Sequence, residues 1–109
     1  MYHKANVEGT KAIIAAAVAN GVKYLIYTSS AGLIFDGNDL INADERMPPP
    51  EEPMDAYNAT KAIGEQLIID ANGRDGLLTV SLRPSGIFGY VMAFVVAMCA
   101  LTFSHLQSR

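Results

Sequence analysis

Residues 22–30 read VKYLIYTSS. The stretch is short, rich in β-branched and aromatic residues, and apolar without alternation until three hydroxyl side chains close it. A strand buried on both faces of a parallel sheet has that composition. The flanks agree. Upstream, residues 4–20, KANVEGTKAIIAAAVAN, space Val7, Ile13, Ile14, Ala17 and Val18 along one side of a helix. Asn20-Gly21 is a stop signal, with Gly21 free to take positive φ. Gly9 inside that helix costs about 1 kcal/mol relative to Ala, so close packing is expected there. Downstream, residues 31–54 are loop-like, with a turn at Asp36-Gly37-Asn38-Asp39 and a stiff Pro48-Pro49-Pro50. Loops of that length in small domains are usually functional.

Asp55 is a suitable N-cap for a second helix that runs to about Asn72 and stops at Gly73. LLTVSL, residues 77–82, is a second strand of the buried type, closed by Arg83-Pro84. The order is helix, strand, long loop, helix, strand. It predicts an α/β fold, a partial Rossmann-type parallel sheet with helical crossovers.

Bulk properties narrow the function. With 109 residues the chain forms at most one small domain, and its 50% apolar content supplies a core. A net charge of −3 with no basic block argues against a nucleic-acid partner. The lone Cys99 has no internal disulfide partner, and no metal-ligand spacing is present. No apolar signal region follows Met1. The longest apolar run, residues 90–103, has 14 residues against the roughly 20 of a membrane span, and is expected to be helical.

Three short motifs carry chemistry. In DAYNATKAIGEQLI, residues 55–68, Tyr57 and Lys61 stand four apart and share a helix face. A free phenol is a weak base near neutrality, and a neighbouring ammonium favours the phenolate, which makes a proton-transfer pair. A solvated lysine on an amphipathic helix gives the same spacing. Thr28-Ser29-Ser30-Ala31 ends the first strand, where open α/β sheets bind ligands. A simple Ser/Thr turn would look alike. Arg83-Pro84-Ser85-Gly86-Ile87-Phe88-Gly89 leaves the second strand at the corresponding end.

Taken together, Ser30, then Tyr57-x-x-x-Lys61, then Arg83-Pro84, with Asn6-Val7-x-Gly9-Thr10 upstream, resemble the extended short-chain dehydrogenase/reductase family. HKANVEGTKAII, DAYNATKAIGEQLI and LRPSGIFG resemble its 3β-hydroxysteroid dehydrogenase branch, in particular the sterol-4α-carboxylate 3-dehydrogenases. The resemblance covers residues 2–89, which it implies are the C-terminal part of an NAD(P)-binding domain, followed by a non-family tail at 90–109. It implies oxidation of a C3 sterol alcohol with NAD or NADP. Tyr57 would be the acid/base. Lys61 would favour its phenolate and hold the nicotinamide ribose. Ser30 would orient and polarise the substrate oxygen, Asn6 would support the helix geometry or a water relay near Lys61, and Pro84, Ser85 and Ile87 would lie along the nicotinamide.

The glycines of the chain form no G-x-G-x-x-G, the fingerprint that holds a dinucleotide pyrophosphate. A catalytic-segment fragment, inactive alone, is therefore expected. A non-catalytic truncated relic and a piece of a nucleotide-sugar epimerase or reductase are the rivals. The tail admits two accounts: membrane association through residues 90–104, on the cytoplasmic side of the endoplasmic reticulum, or translated intron beginning at Gly89-Tyr90-Val91. The parent enzyme would be a homo-oligomer.

Overall fold

The computed structural model describes residues 1–87 and the backbone of residues 101–104. The first helix begins as a π-helical segment, Lys4–Glu8, and continues as α1, Gly9–Ala19. Then come β1 (Tyr24–Thr28), a 3₁₀ turn (Ala31–Ile34), α2 (Ala56–Ala71), β2 (Leu78–Pro84) and β3 (Leu101–Ser104). β1 and β2 pair in parallel, with Tyr24 opposite Leu78 and Thr28 opposite Leu82. α2 crosses between them, as the alternation predicts. The carboxyl ends of both strands therefore lie at one edge.

The expected helix ends hold. Gly21 takes φ +67° and Gly73 φ +75°, values that suit a residue without Cβ. Asp55 caps α2, its Oδ1 accepting from the Asn58 N–H at 2.7 Å. At the far end the Asn72 side chain accepts from the Thr79 N–H at 2.8 Å, and the Thr79 hydroxyl donates to the Ile68 carbonyl at 2.7 Å. These two bonds fix the end of α2 against the start of β2.

Four expectations are corrected. The tail is not helical at Leu101–Ser104, which pair antiparallel with β2, Leu101 opposite Pro84. The open edge of β2 offers unpaired N–H and C=O groups, and Thr102 and Phe103 suit a strand. The rest of that helix expectation lies outside the described residues. The loop after β1 is not wholly irregular, since its 3₁₀ turn buries Leu33 and Ile34. Ile13 does not face the core but is 58% exposed, while Thr10 and Ala17 are buried. Gly9 is not a close approach: a Cβ there would meet only the Lys4 carbonyl at an ordinary 3.7 Å. The close approach is at Gly64 of α2, where a Cβ would sit 2.6 Å from the Asn6 carbonyl oxygen.

Val7, Leu33, Ile68 and Leu77 form the apolar core beneath the helices. Beside them lies a polar layer. The side chains of Thr79, Ser81 and Arg83, every second residue of β2, are buried against α2.

Candidate active site

The site is built at the carboxyl edge of the sheet. Past the end of β1 the Ser29 N–H still donates to the Leu82 carbonyl at 2.7 Å, holding the two strand ends side by side. Ser30 then caps the 3₁₀ turn, its Oγ accepting from the Gly32 N–H at 3.1 Å. Asn58, the third residue of α2 after Ala56 and Tyr57, stands against this turn. A Cβ on Gly32 would lie 3.2 Å from Asn58 Oδ1 and 3.3 Å from Ser30 Oγ. The first turn of α2 and the Ser30 turn are thus in contact.

Tyr57 is 41% exposed, and its ring meets that of Tyr2 edge-on, with centroids 5.7 Å apart. One turn on, the Lys61 ammonium donates to the Thr28 carbonyl at 2.7 Å and lies 4.5 Å from the centroid of the Tyr27 ring. Lys61 is therefore not a freely solvated lysine. It spans from α2 to the last residue of β1. Asn6 donates through Nδ2 to Thr60 Oγ1 at 3.0 Å, while the Thr60 hydroxyl is placed to donate to the carbonyls of Ala56 and Tyr57. This ties the π-helical segment to the turn between Tyr57 and Lys61.

Of the expected site residues, Tyr57, Lys61, Ser30 and Asn6 thus fall on or beside the first turns of α2. Pro84 ends β2 half-buried, and Ser85 and Ile87 continue past it, exposed, at the same carboxyl edge. Two open grooves of about 610 Å³ lie away from these residues. One runs between α1 and the end of α2, past Ile14, Val18, Leu67 and Arg74, and the other lies between α1 and β1. Among the described residues the site lies along an open edge, with Tyr57, Ser85 and Ile87 exposed.

Sequence reasoning missed the group beneath it. Glu65 is buried and accepts from Ser81 Oγ at 2.8 Å, Ser29 Oγ at 3.2 Å and Arg83 Nε at 2.9 Å. Arg83 reaches on to the Met47 carbonyl at 3.2 Å. One carboxylate thus joins α2, both strands and, through Arg83, the long loop. The available signal was the polar residue at every second place of TVSLR, paired with an acid one turn beyond Lys61. Tyr27 and Gly64 were missed as well. The loop polar groups are satisfied locally: Asp36 accepts from the Asn38 N–H at 2.9 Å, and Asp44 binds Arg46. The Asn38 backbone N–H holds the Asp36 carboxyl below its ordinary range, and the Arg46 side chain does the same for Asp44.

This geometry presents an exposed phenol one helical turn from an anchored ammonium. The 3-beta hydroxysteroid dehydrogenase/isomerase family matches residues 1–107, and the chain belongs to that family. Over 89 residues, 82% of the chain, it is 56% identical to a decarboxylating sterol-4-alpha-carboxylate 3-dehydrogenase of Candida albicans, covering 25% of that protein. It is 53% identical over 90 residues, again 82% of the chain, to the decarboxylating sterol-4-alpha-carboxylate 3-dehydrogenase of Saccharomyces cerevisiae, covering 26% of it. The same identity and share of the chain relate it to 3beta-hydroxysteroid-dehydrogenase/decarboxylase isoform 1 of Arabidopsis thaliana, of which 20% is covered. The chain thus spans about a quarter or less of the length of these relatives.

Proposed function

We propose that this chain carries the proton-transfer face of an NAD(P)-dependent dehydrogenase that oxidises the C3 alcohol of a sterol 4α-carboxylate. The observation that carries the reading is Lys61, held at the carboxyl end of β1 by the Thr28 carbonyl, one turn from the exposed Tyr57. A lysine serving only solubility has no need of that anchor. The names of the relatives supply the substrate class.

The residues present suit the nicotinamide end of NAD(P). Lys61 offers donors to a ribose, and Pro84, Ser85 and Ile87 continue the carboxyl edge past β2. When bound, NAD(P) supplies the hydride acceptor. Tyr57 takes the proton from the substrate C3 hydroxyl as the C3 hydrogen leaves as hydride. The Ser30 hydroxyl, beside the first turn of α2, orients the same oxygen. Asn6 acts at a distance by fixing the Thr60 turn. The product is a 3-keto acid whose 4-carboxylate lies β to the ketone, so loss of CO2 follows without a further oxidant.

The test is Tyr57→Phe in the protein that carries this segment, assayed for CO2 release and NADH or NADPH formation from a 3β-hydroxysterol 4α-carboxylate. The expected loss is about 10²–10⁴-fold in turnover with the folded fraction unchanged. Equal turnover by the phenylalanine variant would reject the role of Tyr57. Turnover only with a nucleotide-sugar or a simple ketone would keep the role and replace the substrate.

A further inference from the structure

We propose that Tyr27 is the positioning residue for Lys61, and that the face of its ring, rather than its hydroxyl, does the positioning. A lysine ammonium sits on a flexible four-carbon stem with three rotatable donors. One hydrogen bond, to the Thr28 carbonyl at 2.7 Å, leaves that head free to swing about the acceptor. The Tyr27 ring supplies a second constraint, since Lys61 Nζ lies 4.5 Å from its centroid and is attracted by the negative face of the ring. Two attachments on consecutive residues of β1 place the charge at one point along the strand end. That point lies two residues before Ser30.

The ring is itself held by a gap in α2. A Cβ on Gly64 would sit 2.6 Å from the Tyr27 hydroxyl oxygen and 2.6 Å from the Asn6 carbonyl oxygen. Only a residue without Cβ lets α2 close on Tyr27 this tightly, and Gly64 lies three residues after Lys61 on the same helix. The hydroxyl itself is buried and has no hydrogen-bond partner among the described residues. A buried hydroxyl left unpaired is unfavourable. Its oxygen does not hold the lysine, so phenylalanine should serve as well.

The name of the role rests on the proposed function, but the placement of Lys61 is measurable without turnover. In the full chain, the ring current of Tyr27 should shift the ε-methylene protons of Lys61 upfield of those of Lys4, Lys11 and Lys23. Tyr27→Phe should keep that shift. Tyr27→Leu and the longer Tyr27→Met should both abolish it, and two aliphatic variants guard against one that fails to fold. Lys61 resonating with the other three lysines in the unaltered chain overturns the proposal. In turnover, Tyr27→Phe should stay within about twofold of the parent, while the aliphatic variants lose about tenfold in kcat and raise KM for the nicotinamide cofactor. A merely structural role would lower the active fraction and leave that KM unchanged, which also overturns the proposal. Equal losses for phenylalanine and leucine would overturn it too. If no variant nor the parent turns over, the dehydrogenase reading fails and the proton spectrum alone decides where Lys61 is held.

Discussion

The two faces of the sheet are built in opposite ways. The face under the helices carries Thr79, Ser81 and Arg83 from β2, all buried and all hydrogen-bonded, with Glu65 inserted from α2. The other face carries Tyr24, Ile26 and Thr28 from β1 and Leu78, Val80 and Leu82 from β2, mostly apolar, with Ile26 67% exposed. Hydrophobicity therefore does not explain which face the helices cover. The covered face is specified by pairing: Thr79, Ser81, Arg83 and Glu65 each have a partner at a fixed place, and a slip of either strand by one residue would orphan them all. The bare face is typical of a strand that expects cover on both sides.

The largest expected effect tests the pairing. Glu65→Gln leaves the buried Arg83 guanidinium without its counter-charge, which should cost about 3–5 kcal/mol in urea denaturation. Adding Arg83→Met should recover most of that loss, because the glutamine still serves Ser29 and Ser81 while no buried charge remains unpaired. Equal stability of the single and double variants would mean that hydrogen bonding alone, not charge, specifies the face.

Next in size is the seam between α2 and the first helix. Gly64→Ala places a Cβ 2.6 Å from the backbone oxygen of Asn6, which cannot rotate away. Overpacking of this kind costs about 1–3 kcal/mol. Combined with Tyr27→Phe, part of the clash disappears, so the pair should be less unstable than the sum of its members. Strict additivity would show that α2 moves as a body instead.

The bare face should be almost indifferent. Ile26→Thr and Val80→Thr keep β-branched shape, and their stability effect should fall within about 0.5 kcal/mol, with gains in the concentration at which the chain stays in solution. A loss comparable with that of Glu65→Gln would show that this face is covered in solution after all.

This contrast also marks what the sequence made legible. VKYLIYTSS announced a parallel strand, Asp55 a cap, Gly21 and Gly73 helix ends, because each signal is local and rests on one backbone preference. Tyr57 and Lys61 were legible because helical spacing alone puts them on one face. Glu65 was not: an acid one turn past Lys61 reads as solvated until Ser29, Ser81 and Arg83, from 16 to 36 residues away, are seen to surround it. Ile13 misled for the converse reason. Periodicity gave it a side, and tertiary placement of β1 left that side open. Gly64 rather than Gly9 marks the close approach because closeness depends on what lies opposite, and Asn6 and Tyr27 come from elsewhere in the chain.

The smallest expected effect separates the polar layer from the polar loop. Asp36 is exposed and Asp44 half-buried, and both carboxyls are held below their ordinary value of 3.8 by hydrogen bonds, from the Asn38 N–H and the Arg46 side chain respectively. A depressed folded-state pKa means that the stabilisation is fully present above 3.8 and is lost as pH falls through the depressed values. Amide exchange at Asn38 and Arg46 should therefore accelerate relative to neighbouring loop amides as the medium is acidified below that point, with the intrinsic pH dependence divided out. The amides of β2 should not follow, because they pair with β1 and with the Asn72 side chain, away from the loop. If loop and β2 amides open together over the same interval, the loop and the layer form one cooperative unit, joined by the Arg83 bond to the Met47 carbonyl. If only the loop amides respond, that bond is too weak to carry the opening inward, and α2 stays on the strands through Glu65, Thr79 and Asn72.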